Sequence, residues 1–349
     1  MRPLTPVDSA KISVVIQGPL HRNLTPGRSI FSCIASIRKH LPNAEIVVST
    51  WDHQDLSQIT ADQIIVSDDS GCFLDDSGNQ INTNRMLSST LAGIKAATRP
   101  YVMKLRADHN LTSAALAVIG VPEPIDSSEP RLFDTPITLT TLYIRDPGQV
   151  PMLFHVSDLV QFGTREAMMT LWDQPLLERR DVLRDRPLRN PLGNFCGYTS
   201  LRNLPEQSLM LGCMRQQGME VRLNHPCQVS LSNLKLWDAI LTCNFRVLDF
   251  REAGVDFPER FLTNIPPLRT LYSAAQIEQL YRLRQGQTHY AFRMARIWLN
   301  QYVFSCLRPA WWVSLASMAL FSISPTFAKT ARSRWRKYWK VTHAESYRV

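Results

Sequence analysis

The chain has 349 residues, 44% hydrophobic and 20% charged, with a formal net charge of +9. That length and balance exclude a disordered or fibrous chain and predict one large α/β unit with a C-terminal extension. The positive excess favours acidic partners: nucleic acid, phosphorylated substrates or an anionic membrane surface.

In chain order, Ile12–Ile16 is a short β-branched run ended by Gln17, Gly18 and Pro19. It reads as a buried parallel strand running into a loop. Thr25 and Pro26 offer a helix start, and Ile30, Ile34, Ile37 and Leu41 follow at helical spacing. Glu45–Ser49 is a second buried strand, running into Asp52, and Gln63–Ser67 is a third, running into Asp68 and Asp69. A second helix is predicted over Asn84–Ala97, with Leu87, Leu91 and Ile94 inward. Tyr101–Leu105 is a fourth strand, which delivers Arg106, Asp108 and His109 to a loop. Strands alternating with helices in this way predict a mostly parallel sheet with helices on both faces. Ligands of such sheets bind at the carboxyl ends of the strands, and here every such end is polar.

The second half is less regular. Ile137–Ile144 reads as a strand, and Phe154–Asp158 as a short element ending near Gly163. Arg165–Trp172 and Pro205–Gln217 read as helices, the latter stopping at Gly218, and Ala274–Gln285 as an amphipathic helix. Asp181–Asn194, rich in Arg, Pro and Asp, is expected to be a mobile loop over the site. His155 and His225 have no partner at metal spacing and read as structural. The seven cysteines are scattered without a C-x-x-C pair, which predicts neither a zinc site nor a disulfide framework but a reducing compartment. Met1–Lys11 lacks an apolar h-region, so a chain that starts in the cytoplasm is expected.

The segment Asn84–Leu111, a helix leading through a turn into a strand that ends in a carboxylate, resembles the nucleotide-sugar half of GT-A glycosyltransferases. A closer resemblance is to the WavE lipopolysaccharide synthesis family. It is carried by Ile12–Leu20, Ser36–Trp51 and Lys104–Leu111, and is continued by Phe154–Gly163 and Pro205–Leu209. These resemblances imply a GT-A-like fold and a nucleotide-sugar donor, with Gln17, Gly18, Pro19, Asp52, Asp68, Asp69, Asn84, Arg85, Lys104 and Arg106 as donor contacts. They imply Asp108 and His109 as ligands of Mn²⁺ or Mg²⁺, a cation that neutralises the leaving diphosphate in such enzymes. The family's first acid is replaced by Arg106, so Arg106 or Lys104 is an alternative partner for the diphosphate.

An inverting transfer needs a carboxylate beside the attacking hydroxyl. Asp158 is the favoured acceptor contact or base and Glu206 its rival. Glu206 resembles the first acid of the E-D motif of inverting GT-A enzymes, whose second position, usually the base, is here Gln207, which cannot take a proton. The implied acceptor is a lipid-linked saccharide of the lipopolysaccharide core or O-antigen.

No charged residue lies between Arg308 and Lys329. This stretch, followed by cations and aromatics up to Lys340, predicts a segment at 309–340 lying in an anionic membrane interface. The expected division is a nucleotide-sugar half at 1–120, an acceptor and catalytic half at 121–265 and a helical extension at 266–349. The expected location is the inner face of the bacterial inner membrane. Two other classes compete. Nucleic-acid binding is disfavoured because acidic strand ends repel phosphate, and a non-catalytic scaffold is allowed by the missing second acid.

Overall fold

A computed structural model describes residues 4–21, 27–75, 80–120, 129–189, 198–263, 270–283, 287–307 and 309–338 except 325, 329, 332 and 336. The central sheet uses β1 (Ile12–Gln17), β2 (Glu45–Trp51), β3 (Gln63–Ser67), β4 (Tyr101–Arg106), β5 (Ile137–Thr140), β6 (Gln161–Thr164) and β7 (Phe245–Leu248). Their order is β7-β5-β6-β4-β1-β2-β3. All neighbours pair parallel except at β6, which runs antiparallel to both β5 and β4. The expected mixed α/β architecture with a mostly parallel sheet is what forms.

The helices that matter to the site are α1 (Ile30–His40), α2 (Thr83–Ala96), α3 (Arg165–Trp172), α4 (Pro205–Gln216), α5 (Leu231–Asn244), α6 (Glu259–Thr263), α7 (Ala274–Leu283), α8 (Gln287–Trp298) and α9 (Pro309–Ile323). Every residue of β1 is buried. Its alternate side chains feed two cores, because successive strand residues face opposite sides. Val14 and Ile16 join Ile30, Ile34 and Ile37 of α1, whereas Val15 joins Leu87 and Ile94 of α2, Leu171 of α3 and Leu209 of α4. The α1 helix starts at Ser29, whose hydroxyl accepts from the Ser32 backbone in a capping box. Thr25 and Pro26, the expected start, lie outside the described residues. The α2 helix lies close on the sheet at Gly93, where a Cβ would come 2.3 Å from Val15 Cγ1.

Three expectations need correction. Ile137–Ile144 is not one strand: β5 stops at Thr140, and a turn closed by Ile144 N–H donating to Thr141 O follows. Phe154–Asp158 is loop, and the strand begins at Gln161. Asp181–Asn194 is not a loop over its described length: a short helix ends at Val182, and Leu183–Arg189 pairs antiparallel with Tyr198–Leu201. The backbone there finds its partners in a hairpin, which the arginine-rich composition hid. Residues 190–194 lie outside the described residues.

After α8 the chain makes a π turn over Leu299–Phe304 and then α9. No helix among the described residues is long and apolar enough to cross a membrane. The α8 region grips the loop after β5: Arg296 pairs with Asp146 at 3.3 Å, and Asn300 Nδ2 donates to the carbonyls of Gly148 and Gln149. None of the six described cysteines is in a disulfide.

Candidate active site

β1 and β4 are adjacent and parallel, with β2 and β3 on the far side of β1. The winding direction reverses between them, which opens a crevice at their carboxyl ends. Gln17 and Arg106 are register partners at this point. Gly18 turns the chain out of β1 with φ +110°, a conformation that favours glycine, and Pro19 follows half-buried. Gln17 Nε2 donates to Ser89 Oγ, while its buried Oε1 has no partner among the described residues.

At the rim of β4, one carboxylate organises three side chains. Asp108 Oδ1 accepts from Arg106 Nε at 3.2 Å and from His109 Nδ1 at 2.8 Å, and its Oδ2 accepts from the Arg260 guanidinium of α6. Both guanidiniums lie over Phe261, with Arg106 at 5.3 Å and Arg260 at 4.7 Å from the ring centroid. Burial, then the positive charge of Arg106, holds His109 well below its usual range, so the ring is neutral.

A second carboxylate pair lies beside this cluster. Asp158, in the loop before β6, accepts from fully buried Lys104 through its backbone carbonyl and pairs with the same ammonium through Oδ2 at 3.6 Å. Glu206 sits in the first turn of α4, where the helix dipole favours a carboxylate. Burial nevertheless prevails, and with Asp158 nearby it pushes the Glu206 carboxyl up to about 7. Arg145 and Lys104 oppose that rise. His155 Nε2 lies 3.5 Å from Glu206 Oε2. Its ring stacks on Tyr143 at 6.4 Å, and Arg145 lies over the other aromatic ring at 5.4 Å. Burial lowers His155 to about 4, so it meets Glu206 as a neutral imidazole. Tyr143 and Phe154, at φ +75° and +57°, are held in the left-handed region without being glycine. Such residues cost about 1–3 kcal/mol each and concentrate at functional sites.

Gln207 explains the missing second acid. It is fully buried, its Oε1 accepts from Leu204 N–H, and its Nε2 donates to the carbonyls of Leu153 and Pro226. A carboxylate there would face two carbonyl oxygens.

The profile of the WavE lipopolysaccharide synthesis family matches residues 12–335. The chain belongs to that family. Membership ties this WavE chain to lipopolysaccharide biosynthesis, and the match runs well beyond the first 220 residues that carry the legible motifs. No curated protein matches the chain.

The remaining expected donor contacts of the WavE chain fall into separate groups. Asp69 forms a two-bond pair with Arg85, at 2.7 and 2.5 Å, and the guanidinium lies 5.3 Å over Trp51. Asp52 pairs with His53 at 3.0 Å, and Asp68 is exposed. Asn84 exchanges hydrogen bonds with both backbone groups of Leu177, a structural clamp. Lys104 is sealed beneath Asp158 and Trp172, so it holds Asp158 and does not reach out to a ligand. His155, expected to be structural, lies against Glu206, and His225 accepts from Cys227 N–H.

The donor set at Asp108 and His109 does not fit a divalent cation. Each Asp108 oxygen already accepts from a cationic or N–H donor, and His109 spends Nδ1 on that same carboxylate. Among the described residues no three His, Cys, Asp or Glu side chains come together as a metal site.

Sequence reading missed Tyr143, Arg145, His155, Arg260 and Phe261. None stands in a local pattern; long-range folding brings them to the strand ends. The P-E-R-F run at Pro258–Phe261 marks a helix start and nothing more.

Proposed function

We propose that this chain is a GT-A-like glycosyltransferase of lipopolysaccharide assembly, taking a sugar from a nucleotide-sugar donor to a lipid-linked saccharide acceptor. The observation that carries this reading is Glu206, a carboxyl raised to about 7 beside Asp158 and next to a cationic crevice. A general base works best with a pKa near the working pH.

In this reading the acceptor hydroxyl gives its proton to Glu206 as its oxygen attacks the anomeric carbon. The bond from that carbon to the diphosphate oxygen breaks, the diphosphate leaves with the electron pair, and the anomeric centre inverts. Lys104 fixes Asp158 so that its carboxylate can accept from an acceptor hydroxyl. His155 and Tyr143 brace Glu206 and exclude water from one side. No step uses a metal ion, because the residues at Asp108 do not accommodate one.

The acceptor is lipid-linked in this reading, and the surface of the C-terminal helices supports it. Trp298, Phe304, Leu307, Trp312, Phe327, Trp335 and Tyr338 are all exposed. Exposed apolar and aromatic side chains in this number suit peripheral attachment at the inner leaflet.

The test is transfer from a panel of UDP-, GDP- and CMP-sugars to truncated lipopolysaccharide acceptors. Glu206→Gln should lower turnover by about 10²–10⁴-fold and leave the circular dichroism spectrum unchanged. Full activity in that variant would remove Glu206 as the base, and no transfer from any donor would remove the enzymatic reading.

A further inference from the structure

Three guanidiniums converge on the crevice between β1 and β4 from distant parts of the chain. Arg106 ends β4, Arg260 lies on α6, and Arg28 immediately precedes α1. Arg106 and Arg260 share one carboxylate, Asp108, and one ring, Phe261. Arg28 NH2 pairs with Asp256 at 2.7 Å. Asp256 is in turn the register partner of Asn110, two residues past Asp108, and Asn110 Nδ2 donates to Gly27 O. The same short stretch of backbone therefore gathers all three arginines.

The exposures decide what an approaching ligand would meet. The Asp108 side chain is 0% exposed, whereas those of Arg28, Arg106 and Arg260 are 24%, 25% and 39% exposed. The anion is sealed behind the cations, and Arg106 and Arg260 have one carboxylate between them. The partly exposed guanidiniums are therefore the groups an arriving anion meets first. Guanidinium forks match phosphate oxygens in pairs. His21, in the loop after β1, adds a neutral donor: its Nε2 is buried without a partner among the described residues. Burial, then the charges of Arg106 and Arg260, lowers His21 to about 4. Arg260 is itself lowered by burial and then by Arg106 and Arg28.

We propose that Arg28, Arg106 and Arg260 form a metal-independent receptor for the diphosphate of the donor, with Asp108 as the hidden organiser of the two outer guanidiniums. The proposal rests on the glycosyltransferase reading for the word donor and on the arginine geometry alone for the diphosphate.

Calorimetric titration of inorganic pyrophosphate into the full chain in excess EDTA tests it. Pyrophosphate should bind without metal, and Arg28→Gln and Arg260→Gln should each weaken it by roughly tenfold or more. The lysine variants at both positions should bind with intermediate affinity, a rescue that follows charge and not packing. Binding that appears only after Mg²⁺ or Mn²⁺ is added overturns the proposal, as does unchanged binding in both glutamine variants. UDP or GDP displacing pyrophosphate more effectively than farnesyl diphosphate supports donor recognition; the reverse order overturns that assignment. Metal-dependent pyrophosphate binding in a chain that still transfers sugar sinks only this inference. Metal-free binding in a chain that transfers nothing sinks only the catalytic reading.

Discussion

Glu206 holds its proton to a higher pH in the folded chain than a free glutamate does, and two consequences follow at the residue scale. The first is kinetic. If Glu206 must be ionised to accept a proton, kcat/KM should rise with pH through about 7 and level above it. Asp158→Asn removes one of the causes of the rise, so the acid limb should shift to lower pH even as overall activity falls; a limb that stays in place would show that Asp158 does not act on Glu206. The second is thermodynamic. Between the ordinary carboxyl value and about 7 the folded state binds more protons than the unfolded state, so stability falls as pH rises through that window. Glu206→Gln should therefore unfold at a higher temperature than wild type at pH 8 and show little difference at pH 4, measured by thermal denaturation. An inactive variant that is more stable at pH 8 is hard to reconcile with a merely structural role.

At the scale of elements, α2 lies against the sheet at Gly93 with no room for a side chain. A methyl group there meets Val15 Cγ1 and Ser49 Cβ, which are strand side chains with nowhere to retreat. Gly93→Ala should cost about 1–3 kcal/mol, read by urea denaturation; an unchanged midpoint would mean that α2 can lift from the sheet. The first four strands and α1 to α4 were legible from continuous or regularly spaced apolar runs, but β3, expected to be buried, is an edge strand that leaves Ile64 and Val66 exposed. Gln63–Ser67 and Arg165–Trp172 have the expected bounds, and the others differ by a few residues at their ends. β6 was not legible. Its first position is taken by Gln161, whose side-chain amide is satisfied by Trp172 Nε1 and Ser157 O in the folded chain. The site was legible in part for the same reason. Glu206 and Asp108 stand beside a helix start and a strand end that sequence reveals, whereas Asp158 was singled out from an expected element that proves to be loop. Arg260 and Arg28 act through neighbours more than 75 positions away in the chain.

On the scale of the whole molecule, the C-terminal helices leave several aromatic side chains exposed, and Arg296 and Asn300 tie their beginning to the loop after β5. Trp312→Glu combined with Phe327→Glu should abolish co-flotation with anionic phosphatidylglycerol vesicles, because both side chains are more than half exposed in the free chain. Flotation that persists would place attachment on another surface. The Arg296 and Asn300 contacts with residues 146–149 lie before this segment and should survive the double substitution, leaving turnover on a detergent-solubilised acceptor intact.

The reversed direction of β6 determines which rim of the sheet can carry chemistry. The other six strands of the sheet end where their ligand-facing loops begin, but β6 begins there, so the residues that lead into it emerge among the others' exits. Had it run with the rest, Thr164 would stand at the crevice and Asp158 at the opposite end of the molecule. One inverted strand thus lets an entry loop emerge among departure loops, and an acid from the middle of the chain is set down within electrostatic reach of Arg106.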